Sequence, residues 1–418
     1  MTIAALAAFS LPASAQDFLP PSERVRAAIE AYAEVRAAEA GLTQARESAR
    51  ALNAGPHETE ISVAPSRRRV DDADTASGRA RYTEWEVQLS RTLRLPGKAA
   101  LDKESGDHAV AAAALRQGDA RHQAARNLLA AWMGWLRAEA VAAATRTRLD
   151  SLQQERASLA RRLELGDAAQ RELDQLDATL ASAQADRQQA QADAQAQRLL
   201  LDSDFPQTPA PAHAPVLPEP APLTGAAEDW VARIVAESHE LGILEETTAQ
   251  YAALARRAEA ERTPDPTVGL RTFRERGGME RGVGLVLSIP LGGERRDAEA
   301  RSQLAAADAV RRQTEAMRRD VTREARLAVT RAQLALSLWQ AARDARAAHA
   351  ASLTRQRRAY TLGEIGLAER LQAERLDADA ALTELRARAD AHEALLRVQV
   401  DGHALWDWEE TAARQGAD

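Results

Sequence analysis

Residues 84–117 read "EWEVQLSRTLRLPGKAALDKESGDHAVAAAALRQ", a strand and the start of a helix with one proline–glycine break between them. Trp85, Val87, Leu89, Leu93 and Leu95 take odd positions, while Glu84, Glu86, Gln88, Ser90, Thr92 and Arg94 take even ones. Arg91 is the one polar residue on the apolar side. Such period-two alternation marks an amphipathic strand. Pro96-Gly97 closes it, and from Lys98 the chain turns Ala/Arg/Glu/Leu-rich and reads as helix.

The same plan returns at 286–313, "VLSIPLGGERRDAEARSQLAAADAVRRQ". Further on, "LELGDAAQRELDQLDATLASA" (163–183) answers to "YTLGEIGLAERLQAERLDADAA" (360–381), so the two copies stand about 194–197 residues apart. Two copies are too few for a solenoid. They imply duplicated hairpins that complete each other within one chain or across several.

Around these elements the organisation reads as follows. Residues 1–15 end in Ala13-Ser14-Ala15 behind an apolar run, the form of an export signal, although the basic start is missing. The first repeat covers 16–203: a helix over 21–54, a strand hairpin within 57–95 and long helices over 98–203. Thr59, Ile61 and Val63 form the first strand face, and the polar 66–81, with Arg67-Arg68-Arg69, reads as the turn. A Pro/Ala-rich linker, 204–225, reads as a plain extended spacer. The second repeat covers 226–408: a helix at about 225–262, a hairpin within 266–290 turning over 273–282, and long helices over 294–402. There Val283, Leu285, Leu287 and Ile289 alternate with Gly284, Val286 and Ser288. Residues 409–418 form a tail.

Composition narrows the functional classes. With 418 residues, 45% hydrophobic but only 4% aromatic, the chain suits thin helix–helix packing better than a large globular core. The net charge of −7 gives no basic face for nucleic acid. There is no cysteine, which excludes disulfides, thiolate metal sites and an N-terminal lipid anchor on cysteine. The eight histidines lack metal-ligand spacing, no phosphate-cradling or Gly-x-Ser-x-Gly motif occurs, and no cofactor or enzymatic site is legible. Trp132 and Trp135, i and i+3 on one helix face, read as packing residues, and Trp406 and Trp408 as C-terminal anchors.

No stretch approaches the ~20 apolar residues of a membrane-spanning helix, so membrane entry would require strands. Alternating strands of this length fit the ~9–11 residues of a tilted transmembrane strand, apolar side to lipid and polar side to water. A half-buried soluble sheet is the commoner meaning of one such strand. Two features reverse that here. The strands come only as hairpins between very long helices, and four strands fall short of the about eight that close a small barrel. Several chains must therefore pool their strands. Lys98 to about Leu163 makes a rod on the order of 100 Å. Gly166 and Gly363 then return the chain, as glycine does at a helix C-cap. Glu172, Asp174 and Asp177 follow the first turn, and Glu364, Glu369 and Glu374 the second; around a symmetric ring they would make a negative opening.

The duplicated hairpin and long helix, the "SIPLGG" junction (288–293) and Tyr360-x-x-Gly363 followed by Leu367 and Leu371-x-Ala373 together resemble the TolC-like outer membrane factors. The likeness runs over about 20–405. "ERTPDPTVGLRTFRE" (261–275) is most similar to the heavy-metal branch, the cobalt–zinc–cadmium and copper–silver systems. The resemblance implies a mainly α fold with a small β part, assembled as a homotrimer. A twelve-stranded outer-membrane barrel would continue into a periplasmic coiled-coil tunnel. It implies a periplasmic adaptor and an inner-membrane pump of the RND type as partners, contact with outer membrane lipid, and no chemistry in the duct itself. It places the closing gate on Tyr360, on the acidic positions Glu369 and Gln372 (only one of them acidic here) and on Glu172 in the first copy. The family's linking arginine is replaced by Ile365. "SHEL" (238–241) stands where Pro-Glu-Leu is common. Two other readings stay open: a duct of the same fold for protein secretion or drugs, and a soluble periplasmic coiled-coil scaffold or adaptor.

Overall fold

The computed structural model describes residues 18–71 and 79–406. The expected signal (1–15), Trp408 and the tail (409–418) lie outside the described residues, as do residues 72–78 of the first hairpin. In chain order the elements are α1 (Ser22–Ala31), α2 (Ala33–Ala54), β1 (Thr59–Asp71), β2 (Arg79–Thr92), α3 (Lys98–Glu164), α4 (Gln170–Asp204), α5 (Ala227–Ala236), α6 (His239–Ala260), β3 (Thr267–Glu275), β4 (Glu280–Ser288), α7 (Glu294–Thr361) and α8 (Leu367–Asp401). They belong to two compact units. The first is Met1–Arg36, Asp119–Ser238 and Asp320–Asp418, and the second is Ala37–Gly118 and His239–Arg319.

In the first unit, α3, α4, α7 and α8 bury small and aliphatic residues on one another. Trp132 and Trp135 lie in its largest apolar cluster with Leu128, Leu129, Met133 and Leu136. Their rings meet edge-on at 5.0 Å, and Trp132 Nε1 donates to Phe18 O at 2.8 Å. A second cluster gathers Leu149, Leu152, Leu159, Leu176, Leu367 and Leu371. The Pro/Ala-rich stretch is not the plain spacer that its composition predicts. Phe205, Ala210 and Leu217 are buried in the first cluster. Arg198 donates to Ala210 O (2.8 Å), Arg388 to Leu217 O (3.1 Å), and the His392 ring lies 2.9 Å from Pro218 O. A proline-rich segment offers few donors, so its carbonyls are taken up by arginines of the helices it crosses.

Two helices that read as continuous are each broken. The 21–54 helix parts at Tyr32, whose backbone is extended (φ −64°, ψ 137°) while its ring stacks on Phe205 at 5.3 Å. Aromatic packing outweighs local helix propensity there. The 225–262 helix parts at Glu237-Ser238, at the head of "SHEL".

The second unit holds one four-stranded antiparallel sheet in the order β1-β2-β3-β4, so the two copies join through β2–β3. Both hairpins are longer than the side-chain pattern indicates. Arg67-Arg68-Arg69 belong to β1, paired with Thr83, Tyr82 and Arg81, and not to a turn. The second turn shrinks from the expected 273–282 to one 3₁₀ turn, Arg276–Gly278. Ladder bonds need only backbone, so polar residues extend a strand wherever its neighbour is solvated too. The Phe273 ring lies over Gly282, where a Cβ would stand 2.3 Å from it.

Where the strands meet the helices, an ion network replaces an apolar core. Lys98, buried, lies 2.8 Å from Asp265 Oδ1 and 3.2 Å from Glu261, and donates to Thr263 O at 2.8 Å. Asp265 also accepts from Leu95 N (3.0 Å), with His57 Nε2 at 3.3 Å. Burial pushes the Asp265 carboxyl up, but Lys98, Leu95 N–H and His57 outweigh it and hold the carboxyl below its ordinary value. Arg94 ties Asp102 (2.9 Å) to Leu52 O and Asn53 O at the end of α2 (both 2.9 Å), and Arg257 reaches Asp102 at 2.8 Å. A buried pair of this kind fixes geometry more surely than it adds net stability.

Candidate functional site

Two sets of residues carry the functional expectation: the helix turns of the first unit and the strand faces of the second.

The turns are built alike. At the end of α3, Asp167 N donates to Arg162 O (2.8 Å) and Gly166 N to Leu163 O (3.0 Å). At the end of α7, Glu364 N donates to Ala359 O (2.9 Å) and Gly363 N to Tyr360 O (3.0 Å). These paired bonds form a Schellman motif. Gly166 and Gly363 take φ of 85° and 76°, the left-handed region that a side chain strains.

The expected gate residues divide into separate settings. Glu369 and Gln372 are exposed and line one shallow groove of about 590 Å³ with Gln356, Ile365 and Ala368. Glu172 serves its own helix, its carboxylate accepting from Ala169 N at 3.2 Å at the start of α4. Asp174 accepts from Gln170 (2.9 Å), Asp177 pairs with Arg156 (2.5 Å) and Glu374 with Arg357 (3.1 Å). Tyr360 packs on the leucine cluster.

Ile365 stands where the resemblance would put a linking arginine, and two other arginines, not legible in the sequence, meet Tyr360 instead. Arg162 Nη1 donates to Tyr360 Oη at 3.3 Å and its Nη2 to Asp167 O at 3.2 Å. The hydrogen bond to Tyr360 is the first cause of the upward shift of the Arg162 guanidinium. Arg370 lies over the Tyr360 ring, 4.5 Å from its centroid, and pairs with Glu155. Arg162 and Tyr360 stand 198 positions apart, so no local spacing could show the contact. The one sequence signal was Arg161-Arg162 in the last turn of α3, where cations favour the helix terminus.

In the sheet, the register lays Ile61, Leu89, Leu270 and Leu285 on one rung and Val63, Val87, Thr272 and Val283 on another. This face is turned outward. Leu285 is 90% exposed, Val283 72% and Leu89 50%, with Trp85, Leu287 and Leu93 exposed too. Val87 is half-buried. Leu93 and Ile289 lie just past the strands, and Leu93 N donates to Pro266 O at 2.8 Å. The opposite face is largely polar, with Phe273 and Val286 among its apolar members: Glu84 is buried, paired with Arg68 at 2.9 Å, and accepts from Arg276 N at 3.2 Å. The sheet is thus inverted relative to a globular one, with grease outside and charge inside.

No protein-family profile matches the chain, and no curated protein matches its sequence. Solved structures match its fold. The CmeC outer membrane channel of Campylobacter jejuni superposes with a TM-score of 0.76 at 15% identity, over 96% of this chain and 90% of that one. The outer-membrane channel OprN gives 0.76 at 19% identity, over 94% and 92%. The outer membrane protein VceC of Vibrio cholerae gives 0.75 at 17%, over 93% and 97%. The chain has the fold of outer membrane channels, which is the fold that the resemblance to the TolC-like outer membrane factors implies.

Proposed function

We propose that this chain is an outer membrane factor: the homotrimeric exit duct of a tripartite efflux system, set in the outer membrane of a Gram-negative cell and reaching into the periplasm. Three sheets supply a twelve-stranded barrel, and the long helices continue it as a tunnel. The duct conducts passively, fed by an RND-type inner-membrane pump through a periplasmic adaptor. Its cargo is heavy-metal cations, on the likeness of residues 261–275 to that branch.

One observation carries the reading: a sheet whose apolar face is exposed and whose two edges, β1 and β4, have no partner strand among the described residues. In hydrocarbon every backbone donor and acceptor must be satisfied, so an open sheet cannot remain open. All pairings within the sheet are antiparallel, so β4 of one copy runs antiparallel to β1 of the next, and head-to-tail contacts close a ring. The gate of this duct is formed by Glu172, Tyr360, Glu369 and Gln372. Glu369 and Gln372 face open space, whereas Glu172 is engaged by its own helix. Replacing Glu369 by Gln should therefore lower the cation preference of single channels more than Glu172→Gln does.

The test is extraction of the full chain from membranes. The duct requires detergent and gives a particle of three chain masses with β signal. A soluble monomer released without detergent would instead assign the scaffold reading. Cargo is tested by deleting the gene and challenging cells with zinc, cobalt, cadmium, copper and common drugs. Sensitivity confined to drugs would remove the metal assignment.

A further inference from the structure

Above the apolar band of the sheet, the outward face changes character. Pro65, Trp85, Arg274 and Arg281 share one rung, Arg67 faces Thr83, Arg69 faces Arg81, and Asp71 faces Arg79. By the alternation of strands, Arg67, Arg69, Arg79, Arg81, Arg274 and Arg281 lie on the same face as Ile61, Leu89 and Leu285. Six arginines therefore border the greasy band at the hairpin-turn end, away from the strand ends that lead into α3 and α7. Trp85 stands at the boundary, where transmembrane barrels carry their aromatic girdle.

We infer that these arginines form a belt that binds the phosphate groups of a phosphorylated glycolipid in the outer leaflet. The inference rests on the membrane reading proposed above. Three observations support the belt. First, charge is sorted by face: Glu84, Glu86, Glu275 and Glu280 all lie on the opposite side, and Asp71 is the one carboxylate on the arginine side among the described residues. Second, Arg67, Arg69, Arg81 and Arg281 are exposed and make no ion pair among the described residues, while Arg79 lies 3.6 Å from Asp71 and Arg274 donates to Gly277 O. Asp72 and Asp74 follow in the sequence and lie outside the described residues. Third, Arg69↔Arg81 and Arg274↔Arg281 are directly opposed like charges, which destabilise a bare sheet. A polyanion lying across the strands removes that repulsion. Guanidinium groups hold phosphate oxygens bidentately, and the chain presents only arginine here, its two lysines being Lys98 and Lys103. Headgroup phosphate is supplied at the height where hydrocarbon ends, directly above Trp85 and Leu285.

The test compares native full-length protein with the variant Arg67→Gln/Arg69→Gln/Arg81→Gln/Arg281→Gln, and with Arg68→Gln/Arg271→Gln on the opposite face as control. Each is inserted into phosphatidylcholine vesicles containing either diphosphorylated lipid A or its dephosphorylated form, and retained lipid A is measured after detergent extraction. The belt predicts at least about a tenfold loss in the quadruple variant, a salt-sensitive signal and little retention of the dephosphorylated lipid. The control should match the native protein, and millimolar inorganic phosphate should not compete. Equal retention by the quadruple variant overturns the belt, as does full competition by free phosphate, which would mark a generic anion site. Failure of the native protein to enter vesicles of either composition would instead remove the duct reading. Unchanged β signal and trimer mobility verify that the variants fold.

Discussion

The sheet and the helix turns obey opposite rules with the same residue types. Around the turns, Leu149, Leu152, Leu159, Leu176, Leu367 and Leu371 point inward and shed water on one another. In the sheet, Leu89, Leu270, Leu285 and Leu287 point outward and stay 50–90% exposed within the protomer. Apolar burial of about 25 cal/mol per Å² stabilises the first arrangement by itself. The second gains that energy only if another phase, lipid, covers the face. One region is complete as a single chain and, on the proposed duct reading, the other is not, and substitutions should separate them.

The largest effect on assembly is expected on the sheet. Leu285→Arg sets a charge in the middle of the outward face, costing about 2–4 kcal/mol per chain at a bilayer midplane. Membrane-assembled trimer should fall severely, whereas Gln88→Arg on the polar face should leave it near normal; equal yields would erase the distinction. In the helix cluster, Leu176→Ala should cost about 2–5 kcal/mol through a leucine-lined cavity. It should lower the thermal midpoint of the helical signal in detergent and in lipid alike, and a loss seen only in lipid would contradict the self-contained core.

A third expectation concerns acid. Burial raises the Asp401 carboxyl, but the hydrogen bond from His122 and the charges of Arg126 and Arg397 outweigh it and bring its pKa to about 2. Depressed below the ordinary carboxylate value, it contributes about 2 kcal/mol that is present above about pH 4 and fades as pH falls towards 2. Asp401→Asn should flatten that part of the stability profile, and an unchanged acid limb would refute the assignment. The smallest effects belong to the turns. A Cβ on Gly166 or Gly363 meets nothing within 4 Å, so Gly→Ala there costs only the left-handed strain, about 1–2 kcal/mol each. The two variants should shift the midpoint equally, and a large difference between them would show that the turns are not equivalent.

The sequence made the duplicated plan legible because period two and the paired Leu-Gly turns are local signals. It also supplied both faces of β2 and β4. It concealed the true reach of β1, because Arg67-Arg68-Arg69 reads as a solvated turn, while the ladder to Thr83, Tyr82 and Arg81 depends on backbone alone. The breaks at Tyr32 and at Glu237-Ser238 were hidden too, the first because it follows from a ring stacked on the distant Phe205. At the turns, the glycines and Tyr360 were readable. Their arginine partners were not, since Arg162 and Arg370 meet Tyr360 only after α3, α7 and α8 have packed.

The most direct test uses the absence of cysteine. Single cysteines introduced at positions 282 to 289 can each carry a spin label in the reconstituted full chain. Collision with oxygen and with a water-soluble nickel chelate then reports lipid or water at every position. The account predicts strict alternation, with oxygen favoured at 283, 285, 287 and 289 and nickel favoured at the even positions. Uniform access to nickel along the strand would show that no hydrocarbon covers this face.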